Sequence, residues 1–158
     1  MKHKAIVKLA LFAIVIMLFT GCIITDGYLN AISLSVVAVD DQETKVFKID
    51  EKLDRLYVLA GKKIEITATG VDSYGTKLPG LSDPDWVYDE KSIGNFEELN
   101  RSTIRFTASG YVEATGELIV SITQYETDIE ETDIEETVVV VINIKVVDEL
   151  PTDELDEE

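Results

Sequence analysis

The strongest constraint on the fold is a period of two in the apolar residues of the chain. The run 62–69 places Ile64, Ile66 and Ala68 on one side and polar or charged residues on the other. This alternation is typical of a β-strand with one face in a core and the other in water. Further segments also predict strands: 31–39 (with Ile32, Leu34 and Val36 inward), 45–49, 85–88, 102–108, 116–123 and 137–147.

Turn signals separate these segments, with clusters at 72–75 and 78–80 that contain glycine and proline. The charged stretch 50–55 predicts a turn or a single helical turn. No stretch of ten or more residues has the period of an amphipathic helix. Short strands divided by turns, without helices, indicate an all-β sandwich or barrel.

Several residues resemble those of bacterial immunoglobulin-like domains. The chain has Gly61 before the clearest strand, Trp86 on the next one, and Gly116 at the start of a strand that leads to a valine-rich final one. The resemblance covers residues 56–147. It implies an immunoglobulin-like β-sandwich of antiparallel strands over residues 31–148, in which residues 31–55 supply either edge strands or a small cap.

The amino terminus has the order of a secretory signal. Met1–Lys4 is basic, and the run Leu9–Phe19 is apolar. A membrane-spanning helix needs about 20 apolar residues, so this run is short for a span. Cleavage is the favoured interpretation, and an uncleaved anchor is the alternative.

The stretch Leu18–Cys22 resembles the lipobox of bacterial lipoproteins. Thr20 and Gly21 provide the small residues that this family has before its cysteine. The resemblance implies removal of residues 1–21 and lipid attachment to Cys22. An ordinary signal peptide with an incidental cysteine is the other reading.

Charge and composition exclude several functions. Without residues 1–21, 11 basic residues remain against 31 acidic ones, a formal net charge of −20. Such a chain does not suit nucleic acid, whose phosphates require clustered lysine and arginine. The sole histidine, His3, lies in the signal, and the sole cysteine is Cys22. Imidazole-assisted nucleophiles and zinc sites therefore cannot be built, and we expect no enzyme.

An acidic repeat precedes the last strand. Glu126–Glu130 recurs as Glu131–Glu135, and seven of the eleven residues 126–136 are acidic. We expect residues 126–137 to form the tip of a hairpin. Calcium binds six to eight oxygens of this kind, although a simple duplication that lengthens the hairpin also explains the repeat. The calcium candidates are Asp128, Glu130, Glu131, Asp133 and Glu135.

Two aromatic residues bear on ligand binding. Trp86 is a candidate for stacking on sugars, but its spacing from Tyr88 favours a place in the core. Tyr74 stands in a turn beside Gly75 and is the ring expected to be exposed as a ligand contact. The acidic end 149–158 is expected to be a disordered tail.

The sequence therefore predicts a lipoprotein anchored in a bacterial cell membrane or outer membrane and facing outside the cytoplasm. A tether of residues 22–30 would carry one β-sandwich that acts by contact, with no cofactor. Its expected partners are the membrane, through lipid on Cys22, and an envelope protein or polysaccharide. The alternatives are a polysaccharide-binding accessory protein and a calcium-dependent adhesion module.

Overall fold

The computed structural model describes residues 27–39, 45–50, 55–88, 93–127 and 133–152. The predicted signal segment 1–21 and Cys22 lie outside these residues. The described strands are β1 Ala31–Ala38, β2 Phe47–Asp50, β3 Arg55–Leu59, β4 Lys63–Val71, β5 Asp85–Tyr88, β6 Gly94–Asn100, β7 Thr103–Ala108, β8 Thr115–Thr127 and β9 Asp133–Val147. None of the described ranges contains a helix with the length and apolar character needed to cross a membrane.

The strands form two sheets that pack face to face. One has four strands in the order β1-β4-β7-β6, and the other has five in the order β2-β3-β9-β8-β5. The predicted all-β sandwich is therefore confirmed. The order β1-β4-β7-β6 opposite β5-β8-β9 is that of an immunoglobulin constant-type domain, which pairs strands ABED on one sheet and CFG on the other.

The hairpin of β2 and β3 extends the five-stranded sheet beyond that arrangement. β3 pairs with β9 in parallel, with Arg55 opposite Asn143 and Leu59 opposite Val147. The prediction of antiparallel strands is wrong at this pair. A parallel pair requires a long connection between its strands, and the chain from β3 to β9 passes through both sheets.

The core lies between the sheets and is built from the alternating residues that the sequence indicates. Ile64, Ile66, Ile104 and Phe106 of the four-stranded sheet are fully buried against Leu118, Val120 and Ile144 of the other. Leu34 and Val36 of β1 are partly buried against the same core. Apolar burial is the main stabilising contribution to such a domain.

Residues 94–100 differ from the sequence-based prediction, whereas the turn predicted at 50–55 is described only at its two ends. Arg55 begins β3, and residues 51–54 of the predicted turn lie outside the described residues. β6 was not predicted, because Phe96 is its only buried residue and an edge strand lacks the alternation of a central one. Residues 31–50 supply β1 and β2, the edges of the two sheets on one side of the sandwich.

Candidate functional site

The two outer faces of the sandwich differ in chemistry. On the four-stranded sheet, Arg105 lies between Glu65 and Glu97 in the strand register. Its guanidinium donates to Glu65 Oε1 at 2.8 Å and to Glu97 Oε2 at 3.4 Å. The pKa of Arg105 is raised, and the main cause is its hydrogen bond to Glu65. The guanidinium therefore stays charged. The centre of this face is therefore occupied by a network of paired charges.

The outer face of the five-stranded sheet instead carries an apolar row. Val87 of β5 pairs with Ile119 of β8, which pairs with Val141 of β9. Val139 lies two residues before Val141 on the same face. Val87 and Val139 are 55% exposed and Val141 is 43% exposed. We call these four residues the apolar row, and it is the candidate interaction face.

The amino-terminal segment is fastened to one end of the sandwich, which we call the amino-terminal pole. There, the side chain of Gln124 accepts a hydrogen bond from Leu29 N and donates one to Gly27 O, both at 2.6 Å. Leu29 is buried beneath this clamp. Asn30 N then donates to Val71 O as β1 begins. The first described residues of the chain are thus held at a fixed place.

Tyr74 lies at the same pole, in a turn that Asp72 organises. Asp72 Oδ1 accepts hydrogen bonds from Tyr74 N at 2.9 Å and from Thr76 N at 2.7 Å. Gly75 provides the positive φ of 78° that the turn needs. The ring of Tyr74 is 66% exposed, as expected. Its role as a ligand contact stays a prediction.

Trp86 is partly buried and packs against the core between the two sheets. Tyr88 stacks on Phe96 with ring centroids 4.3 Å apart, and Phe96 contacts Phe106 in turn. The expected core position of Trp86 is therefore confirmed. Its indole Nε1 is buried without a hydrogen-bond partner, and its ring is not available as an open stacking surface.

The acidic repeat is described only in part. Pairing of β8 with β9 continues to Thr127 opposite Asp133. The candidates Asp128, Glu130 and Glu131 lie outside the described residues. For Asp133 and Glu135 the backbone in β9 is described and the side chain is not. Within the part of the chain that can be described, no three histidine, cysteine or acidic side chains converge as a metal site requires.

These features define a β-sandwich with immunoglobulin-type strand order, an ion-pair network on the outer face of one sheet and the apolar row on the outer face of the other. Comparison of the chain with protein-family models, curated proteins and solved structures found no match. The sequence predicted the exposed turn position of Tyr74 and the core position of Trp86. It did not predict the apolar row, since an outward valine and an inward one look alike in the sequence. One feature of the sequence did point to the apolar row: every residue from Val138 to Ile142 is apolar, so both faces of β9 are apolar there.

Proposed function

We propose that the protein is a lipid-anchored extracytoplasmic lipoprotein whose β-sandwich binds another component of the cell envelope through the apolar row. The observation that carries the proposal is the exposed row itself, which is three strands wide on the outer face of the five-stranded sheet. Contiguous exposed apolar surface on a soluble domain marks interaction sites. Aliphatic residues in this arrangement favour a protein partner over a polysaccharide.

The clamp at Gln124 supports the anchoring part of the proposal. Gly27 follows Cys22 by five residues, which span at most about 18 Å when extended. Lipid on Cys22 would therefore hold the sandwich by its amino-terminal pole, close to the membrane. The strands of the apolar row would then run away from the bilayer, with their outer face open to the side.

Anchoring is tested by the intact mass of the protein extracted from membranes. The expected mass corresponds to residues 22–158 plus acyl groups. Cys22→Ala should abolish the added mass, because the acyl groups lose their point of attachment. A wild-type protein that is bound to membranes and still contains residues 1–21 would contradict lipidation.

Partner binding is tested by introducing a photo-crosslinking amino acid at Val87 in living cells. The matched control position is Asn95, which is exposed on the outer face of β6 in the other sheet. We expect a discrete adduct with an envelope protein from position 87 and none from position 95. The same adducts from both positions, or none from position 87, would contradict the proposed face.

A further inference from the structure

The tip of the β6–β7 hairpin carries an acceptor sequence for N-linked sugars. Asn100–Ser102 has the order Asn-x-Ser in which x is not proline, and none of the other three asparagines of the chain begins such a sequence. Asn100 pairs with Thr103 across the hairpin, and the two residues between them form the turn. Sugar transfer also requires that the asparagine lie on an accessible surface loop, and the fold decides that.

The turn is accessible in the folded protein. Asn100 and Arg101 are exposed, and Ser102 is partly exposed. The turn follows β6, which is an edge strand of its sheet. Arg101 forms an ion pair with Asp83 at 3.7 Å, but the two side chains are 86% and 61% exposed and do not cover the asparagine. An enzyme can therefore approach Asn100 without unfolding the sandwich.

The side-chain amide of Asn100 is held in place through its oxygen alone. Oδ1 accepts hydrogen bonds from Ser102 N at 2.9 Å and from Ser102 Oγ at 3.2 Å. Nδ2 donates to none of the residues that the structure describes. An amide nitrogen is a weak nucleophile because its lone pair is shared with the carbonyl group. The two donors on Oδ1 stabilise the negative charge that this oxygen gains as Nδ2 loses a proton, so the Ser102 hydroxyl has a role that alanine cannot fill.

The turn lies toward the amino-terminal pole of the sandwich. Ser102 O accepts from Ala68 N, and β4 continues from there to Val71 at that pole. In the proposed function this pole is held close to the membrane, outside the cytoplasm. The turn belongs to the four-stranded sheet, whereas the apolar row lies on the other sheet. A sugar donor in the membrane can therefore meet the turn, and a glycan there leaves the apolar row uncovered.

We propose that Asn100 is a site of N-linked glycosylation, and that the donor is an oligosaccharide carried through a diphosphate on a membrane lipid. In the transfer, Nδ2 forms a bond to the anomeric carbon of the first sugar, and the bond from that carbon to the diphosphate oxygen breaks. The lipid diphosphate leaves with the electron pair, and the amide proton passes to a base of the transferase. Oδ1 keeps both hydrogen bonds from Ser102 after the transfer, so the turn keeps its shape.

The glycosylation rests on the extracytoplasmic location in the proposed function, but on neither the lipid nor the apolar row. Acyl groups on Cys22 and sugars on Asn100 fall on different peptides of a digest, so each modification is scored by itself. A chain with acyl groups and an unmodified Asn100 would overturn the glycosylation alone. A chain with sugars and no acyl groups would overturn the lipidation alone.

The experiment is mass spectrometry of peptides from the full chain purified from its native cells. The peptide that contains Asn100 should be heavier by a whole number of sugar residues, which fragmentation removes one after another. The matched variants Ser102→Thr and Ser102→Ala differ in the hydroxyl group. We expect Ser102→Thr to keep the added mass and Ser102→Ala to lose it.

Two further variants keep the serine and change an asparagine. Asn100→Gln should lose the added mass. Asn95→Gln changes an exposed asparagine outside the acceptor sequence and should keep it. Circular dichroism of each variant checks that the sandwich is folded. An unmodified Asn100 in the wild type would overturn the proposal, and so would an added mass that persists in Ser102→Ala or in Asn100→Gln.

Discussion

Gly94 shows how one missing side chain sets the distance between two strands. It begins β6, opposite Ala108 of β7. A Cβ atom at this position would overlap the backbone oxygen of Thr107 and would lie 2.9 Å from the ring of Phe106. Backbone atoms of a neighbouring strand cannot move aside, so the position accepts only glycine.

We therefore expect Gly94→Ala to lower the free energy of unfolding by about 3 kcal/mol, through overpacking at the core. The matched control is Gly110→Ala, because an added Cβ at Gly110 meets nothing within 4 Å. That variant should change stability by less than about 0.5 kcal/mol. Urea denaturation measures both, and equal effects would contradict the steric argument.

At the scale of elements, the amino-terminal segment and the β8–β9 hairpin stabilise each other. Gln124 extends from β8 beyond the end of β5 and holds Gly27 and Leu29 with both ends of its amide. Ser82 adds a second connection at this pole, since its N–H donates to Thr123 O at 2.8 Å. The long hairpin is thus braced at its base.

Gln124→Ala should lower the free energy of unfolding by about 1–3 kcal/mol, because one partly buried and one exposed hydrogen bond are lost. Hydrogen exchange at the amide of Leu29 should accelerate, since that N–H loses its acceptor. Gln124→Glu keeps the acceptor and loses the donor, so it should restore protection at Leu29 in part. Unchanged exchange at Leu29 in the alanine variant would show that the clamp does not hold the segment.

At the scale of the whole molecule, repulsion among the acidic side chains opposes folding. The full chain has a formal net charge of −17, and few basic side chains are available to offset it. The ion pairs of Arg105 and Lys145 are local, and the latter joins Glu113 at 2.6 Å. Repulsion among the remaining acids extends over the Debye length, about 30 Å at 0.01 M salt and about 8 Å at 0.15 M.

The Tm should therefore rise by a few degrees when sodium chloride is increased from about 0.01 M to about 0.15 M. Calorimetry of the full chain in neutral detergent measures the shift. A variant with the acids of residues 126–136 changed to asparagine and glutamine should show a smaller rise. A Tm that falls with salt would mean that the ion pairs outweigh the repulsion.

The sequence by itself determined which residues face inward, because alternation is a local property of a strand. Ile64 and Ile66 could be assigned to the core from their neighbours alone. Only the tertiary structure decided which strands pair, since partners such as Arg55 and Asn143 are far apart in the sequence. It likewise brought Val87, Ile119 and Val141 side by side, because this depends on which distant strands pair.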